Sequence, residues 1–321
     1  MTATQERAVS GRPATDLAGA PSAAGPPARG PASPAGPEPG AARATRPAST
    51  GVTTAKAVAT SVLLAGALIL GFGAYLVLLS PVQQARAQEN LYQQLNGELG
   101  LAVTPVAGVI PVGTPVALLE IPRLGVAQVV VEGTSSGVLM AGPGHRRDTP
   151  LPGQAGAAVL LGRSGLFGAP FSPLGDLRRG DEIVVTTGQA RSTFAVVSRR
   201  DSTQAIPPPN GAAASLVLST ASPPLAPDRS LIVTAVLTSE LLPGRVDRTA
   251  ITEAERSLTP DSGAALPVML WTQALVGLVV ATSWAYLRWL RWPAYLISTP
   301  ILLAILWNLY ENVAKLLPNT M

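Results

Sequence analysis

Three long apolar runs constrain this chain more than any other feature. Ala57 to Leu79 holds 23 residues without a charge, a second run goes from Ala265 to Leu287, and a third from Pro293 to Tyr310. As a helix, 23 residues reach about 35 Å at ~1.5 Å per residue, enough for a hydrocarbon core of about 30 Å. The runs predict three transmembrane helices, the last one kinked at Pro300. All five tryptophans (Trp271, Trp284, Trp289, Trp292 and Trp307) fall in the C-terminal region with Tyr286, Tyr295 and Tyr310, as an interfacial aromatic belt requires. Gly277, Ala281 and Ser283 supply small residues for helix–helix contact there.

The basic residues nearest the spans set an orientation. Arg43, Arg46 and Lys56 precede the first helix, and Arg288 and Arg291 fill the loop between the other two. By the positive-inside bias both places are cytoplasmic, which puts residues 81–264 and the last ten residues outside, at the plasma membrane of a cell with an envelope beyond it. Ala85-Arg86-Ala87 resembles a signal-peptidase site, so cleavage of residues 1–87 as a signal sequence is the rival reading; the apolar run exceeds the usual ~7–15 residues of a signal core and favours an uncleaved anchor. The net charge of +4 does not point to nucleic acid, because residues 81–264 carry fourteen basic and fifteen acidic groups and are nearly neutral.

Residues 1–56 form the N-terminal tail. The first fifty hold 14 Ala, 9 Pro and 6 Gly, with Met1, Val9 and Leu17 as the only large apolar side chains. Such a stretch buries too little surface to offset its ordering entropy and is expected to be disordered and cytoplasmic, with a Pro-rich partner ligand as the alternative.

After a polar stalk over 81–114, helical from Gln83 to Leu99, short Val/Ile/Leu/Thr runs alternate with Gly and Pro. Strands are expected at 115–121, 126–132, 157–161, 182–187, 192–198, 215–220 and 230–238, giving a mainly β, antiparallel barrel or sandwich over 115–240, followed by a linker over 241–264.

In order along this segment come Leu119-Glu120-Ile121-Pro122-Arg123-Leu124-Gly125-Val126, Val130-Val131-Glu132-Gly133-Thr134-Ser135, Gly142-Pro143-Gly144-His145 and Thr149-Pro150-Leu151-Pro152-Gly153-Gln154. Gly168-Ala169-Pro170-Phe171 and Leu174-Gly175-Asp176-Leu177 through Ile183 follow. The series closely resembles the sortase family of bacterial cysteine transpeptidases, in particular actinobacterial class E-like members. The resemblance implies a sortase-like antiparallel β-barrel, and a chemistry in which a cysteine attacks, a histidine relays the proton and an arginine stabilises the oxyanion.

The resemblance breaks at that chemistry. The chain contains no cysteine and one histidine. In Leu161-Gly162-Arg163-Ser164-Gly165, Arg163 takes the place of the family's histidine; in Val217-Leu218-Ser219-Thr220-Ala221, Ala221 takes the place of the nucleophile; Arg229, eight residues on, matches the retained arginine. A methyl group cannot attack a carbonyl and a guanidinium cannot relay a proton at any accessible pH, so the family mechanism is excluded. The missing cysteines and the single histidine also exclude disulfides, thiolate clusters and multi-histidine metal sites, and no cofactor or calcium-ligand spacing can be argued.

What remains is a set of candidate groove residues. Ser219 shares the strand face of Ala221, and with His145, the only imidazole, it would make a residual hydrolase; the alternative is an ordinary strand serine beside a structural turn histidine. Arg163 either joins Arg229 in an anion clamp or points into water from a relaxed loop, and Arg229 either serves the clamp or a local ion pair. Pro207, Pro208 and Pro224 stiffen the two connections that border the family's groove, which suits an extended peptide as well as an inert loop. The expectation is a membrane-anchored pseudoenzyme that binds sorting-type peptides of surface proteins or scaffolds envelope assembly with another membrane protein. A non-cysteine hydrolase and a purely structural membrane protein are the alternatives.

Overall fold

The computed structural model describes residues 50–101, 103–106, 108–203, 214–244, 249–288 and 291–321. Two compact units divide the chain, Met1–Ala55 and Lys56–Met321. The expected disordered tail, apart from its last residues, lies outside the described residues, as do Pro207 and Pro208.

The second unit is built around a closed barrel. Its strands are β1 (Pro115–Ile121), β2 (Val126–Glu132), β3 (Gly144–His145), β4 (Ala157–Leu161), β5 (Glu182–Thr187), β6 (Arg191–Ser202), β7 (Ser215–Ser222) and β8 (Arg229–Leu237), arranged β1-β2-β3-β4-β7-β8-β6-β5, with β5 closing on β1. Neighbours are antiparallel except β2–β3 and β4–β7. The seven expected strands are all present. Sequence reading missed β3, whose two residues are too short for any periodicity, and β6 runs four residues further, through Arg199-Arg200-Asp201-Ser202, because its pairing with β8 continues to Ser230. The turn between β1 and β2 depends on Gly125, whose φ of 63° lies in the left-handed region.

Alternation decides which side of each strand meets which core. Leu119, Ile121, Val130, Leu160, Leu216, Leu218, Val233 and Ala235 fill the barrel with Phe171 and Phe194. Val159, Leu161, Val217 and Ile232 face the other way and pack with Leu139 of the short helix α3 (Ser136–Leu139). β4 and β7 are therefore buried on both faces, which is why Ala157–Leu161 reads as an unbroken apolar run rather than an alternating one.

Helix α1 (Thr50–Ala74) continues through a π-helical turn, Tyr75–Leu79, into α2 (Ser80–Gly100). α2 lies against the barrel: Gln88 accepts from the Val129 amide at 2.7 Å and donates to the carbonyls of Val129 and Ala141, so its side-chain amide completes the backbone bonding beside β2. Helices α4 (Ala265–Arg288) and α5 (Arg291–Lys315) form an antiparallel hairpin, and α5 runs through Pro300 without ending. Three helices, Val58–Gly100, Ser262–Tyr286 and Tyr295–Lys315, are long and apolar enough to cross a membrane. α1 and the π-helical turn touch α5 through Phe72, Tyr75, Trp307 and Tyr310, and the Tyr310 hydroxyl donates to the Leu68 carbonyl at 3.1 Å. Gly71 permits that approach, since a Cβ there would lie 2.6 Å from the Tyr310 oxygen. Gly277 has only open space where its Cβ would be, so it makes no close helix contact among the described residues.

Candidate functional site

β4, β7 and β8 bring the candidate positions to one region. Register pairs Leu161 with Ser219, Ser219 with Ile232, and Ala221 with Ser230. Directly opposite residues share a sheet face, so Ser219 and Ala221 belong with Val217 and Ile232 on the outer face, and Arg163 follows β4 at its edge. This face is covered by the chain itself: Ser219 is 0% exposed and Ala221 2%. The β7–β8 connection stands against the Gly162–Gly165 turn, where a Cβ on Gly165 would meet the Pro224 carbonyl at 3.1 Å and Leu225 at 3.0 Å.

Arg163 does not point into water. It is fully buried, with Nη2 donating to the Ser136 carbonyl at 3.0 Å and the Ser136 hydroxyl at 2.8 Å, Nη1 reaching the Met321 backbone oxygen at 3.4 Å, and the guanidinium carbon 4.9 Å above the Phe167 ring. The turn is held tightly: the Phe171 amide donates to the Arg163 carbonyl, and the Phe171 ring sits so close to Gly162 that any side chain there would collide at 2.5 Å. The long stem of Arg163 is thereby forced inward. Burial pulls its guanidinium down to about 9, against a smaller raising effect from Tyr75, so it remains charged at neutral pH. Its Nε has no hydrogen-bond partner among the described residues.

Arg229 behaves in the opposite way. It is exposed at the start of β8 and forms a two-bonded pair with the adjacent Asp228, at 2.8 and 2.9 Å. That bond, with the Asp228 charge, raises the Arg229 guanidinium and lowers the Asp228 carboxyl. The two arginines therefore differ in burial and in partners: Arg229 forms the local ion pair that is one of its two readings, and Arg163 is neither solvated nor paired with Arg229 but a buried cation.

The Ser219–His145 pairing also fails on geometry. His145 Nδ1 lies 2.8 Å from Glu132 Oε2, and Nε2 lies 3.0 Å from the Pro150 carbonyl and 3.2 Å from Thr149 Oγ1. The Thr149 hydroxyl is itself engaged, donating to Arg146 and accepting from the Val159 amide. Both ring nitrogens thus face acceptors, which leaves no lone pair aimed at a serine. His145 registers on Leu160, whose other neighbour is Leu218, so it sits two strands from β7 and on the alternate face to Ser219. The Ser219 hydroxyl is buried without a partner among the described residues. Thr220, on the other face, donates to the Gly162 carbonyl at 2.8 Å and ties β7 to the Arg163 turn.

Sequence reasoning missed the groups that cover this region. Arg147 grips Glu255 through two bonds, at 2.7 and 2.5 Å, and Thr134 donates to the Glu255 carbonyl at 2.6 Å, which lays the segment before α4 on the barrel. Burial alone would raise the Glu255 carboxyl; bonds from Arg147 and Thr252 and the Arg147 charge outweigh it and hold the group below its ordinary value. The segment after α5 lies beside it: Asn319 and Thr320 are 0% exposed. Neither contact had a local signal, since the partners lie more than a hundred residues apart.

The Sortase domain family model matches residues 119–238, the stretch from β1 to the end of β8. Residues 119–238 are a sortase domain. A curated relative, Sortase D of Bacillus subtilis, is 30% identical over 88 residues; that stretch is 27% of this chain and 43% of the relative, so the alignment spans less than half of its length. Among solved structures, sortase E from Streptomyces avermitilis is 30% identical, with 46% of this chain covering 100% of that one at a TM-score of 0.38. A Clostridium perfringens Sortase D5 transpeptidase is 22% identical, with 49% of this chain covering 98% of it at a TM-score of 0.42. Against this family the chain is degenerate: it has no cysteine anywhere, and Ala221 and Arg163 stand at the positions that the motif series assigns to nucleophile and histidine. The arrangement can offer hydrogen bonds and apolar surface to a peptide. Among the described residues, the Ser219 hydroxyl has no hydrogen-bond partner and His145 lies on the alternate face.

Proposed function

We propose that this chain is a membrane-anchored sortase-fold pseudoenzyme whose barrel binds extended peptide without cutting it, on the extracytoplasmic side of the plasma membrane. The observation that carries the reading is Arg163: at the position the motif series assigns to the histidine stands a buried guanidinium already committed to the Ser136 carbonyl and hydroxyl, while β7 carries a methyl group at Ala221. Neither group can take part in acyl transfer, and donors buried beside apolar walls suit the capture of backbone carbonyls. Three helices of spanning length support anchoring, and the basic residues at their ends support a cytoplasmic N-terminus. The sorting peptides of surface proteins, on which sortases act, are the natural class of ligand, and the α4–α5 hairpin offers a scaffold surface for a membrane partner.

Photo-crosslinking in native membranes from a reactive residue replacing Ala221 tests the reading. It predicts adducts with an extended peptide segment. No adduct at Ala221, together with capture of a membrane protein from the same probe on α4, would contradict peptide binding and leave scaffolding through the helices.

A further inference from the structure

The residues after α5 are bound in the manner of a peptide ligand. Leu317 accepts from the Ser136 hydroxyl at 3.3 Å, and the Asn319 side-chain amide donates to the carbonyls of Thr134 and Arg256, both at 2.8 Å. The Thr320 carbonyl accepts from the Ser164 amide at 3.1 Å, and the Met321 oxygen faces Arg163. Leu317 and Met321 pack against the cluster of Tyr75, Met140, Leu166, Phe167 and Ala314. The walls of this groove are the connection after β2, which carries Thr134 and Ser136, and the turn after β4, which carries Arg163 and Ser164. The segment is turned rather than extended, since the Met321 amide donates to the Pro318 carbonyl at 3.1 Å, and it is held by main-chain and Asn319 bonds with its apolar side chains packed.

The fit is incomplete. Arg163 Nε on the groove side, and Asn319 Oδ1 and Thr320 Oγ1 on the segment side, are buried without hydrogen-bond partners among the described residues. Each such group costs free energy that a better-matched occupant would recover. No Asp or Glu side chain bonds Arg163 among the described residues, and its one contact to the segment is the long one to the Met321 oxygen.

We propose that Leu316–Met321 is a displaceable cis ligand of the groove between the β2–β3 connection and the Gly162–Gly165 turn, and that when the segment leaves the same groove takes, in trans, a short peptide that presents the same apolar side chains and backbone oxygens. This rests on the reading of the barrel as a peptide-binding module and adds that its resting occupant is the chain itself. The segment follows α5 directly, so a shift of that helix in the bilayer would be felt in the groove.

The absence of native cysteine makes the test clean. In the full chain in membranes, Ser164→Cys places a thiol against the Thr320 carbonyl, and its maleimide labelling is expected to be slow. Asn319→Ala, which removes both side-chain bonds of the segment, should accelerate labelling at least about tenfold, and a chain ending at Lys315 should do the same. The free hexapeptide Leu-Leu-Pro-Asn-Thr-Met should then restore protection in either variant. Ser192→Cys, buried in β6 three strands from β4, must stay unlabelled throughout, which excludes unfolding as the cause. Equal labelling with and without Asn319→Ala and with the truncation would overturn cis occupancy. Acceleration without protection by the hexapeptide would overturn exchange, and would leave the pseudoenzyme reading standing on its own crosslinking test.

Discussion

Arg147 and Arg163 are two largely buried cations, each binding a segment that returns to the barrel from the C-terminal side of the chain, and they do it with opposite electrostatics. Arg147 meets a carboxylate: two bonds to Glu255, whose other oxygen contacts come from the Thr252 amide and hydroxyl. Arg163 meets a carbonyl, a hydroxyl, an aromatic ring and the Met321 oxygen. The first guanidinium is raised, chiefly by its bond to Glu255, and the second is lowered by burial. A charge paired with a buried carboxylate side chain is a clasp that is costly to open, whereas Arg163, with no Asp or Glu side chain on it among the described residues and an unpartnered Nε, retains capacity for another partner. The barrel therefore holds the Thr252–Glu255 turn as a fixed part of the fold and the Leu316–Met321 segment as an occupant.

The largest effect should come from breaking the clasp. Arg147→Ala leaves the Glu255 carboxylate buried without its cation and should cost about 3 kcal/mol in thermal or denaturant unfolding. A loss within error of zero would remove the distinction between the two arginines. Acid should act on the same pair. The Glu255 carboxyl lies below its ordinary value of 4.5 in the folded chain, so the stability it contributes is present above that value and disappears as pH falls through the lower, folded value. Glu255→Gln should accordingly flatten the acid limb of a stability–pH curve below about 4.5. Replacing the other cation should matter less: Arg163→Met roughly keeps the volume and removes a buried charge that no Asp or Glu side chain balances among the described residues, and should shift stability by no more than about 1 kcal/mol in either direction. Ser219→Ala should have the smallest effect, about 0.5 kcal/mol or less, because the hydroxyl it removes has no bond to lose.

Much of the barrel was legible because its strands are unbroken runs of Val, Leu and Ile between Gly and Pro. β3 was not, since two residues in a turn leave no pattern and form a strand only through partners on β2 and β4. At the site, the motif series singled out Ala221, Arg163 and Arg229, which lie on β7, after β4 and at the start of β8. The surroundings of Arg163 were illegible. An arginine in a glycine-rich turn reads as a solvated side chain, and its burial depends on Ser136 and Met321, one 27 and the other 158 residues away. The role of His145 was half legible: a turn histidine is expected to be structural, and its Nε2 partners, the Pro150 carbonyl and the Thr149 hydroxyl, are local to that turn, but the Glu132 carboxylate at Nδ1 comes from β2 through strand pairing.

The most direct test of a sortase fold that binds and does not cut is turnover by the full chain in reconstituted membranes, offered fluorogenic sorting-type peptides with an amine acceptor present. Cleavage indistinguishable from that of the Ser219→Ala chain is the predicted result. Cleavage above that level, abolished by Ser219→Ala or His145→Ala, would contradict the account and restore an enzyme to this fold.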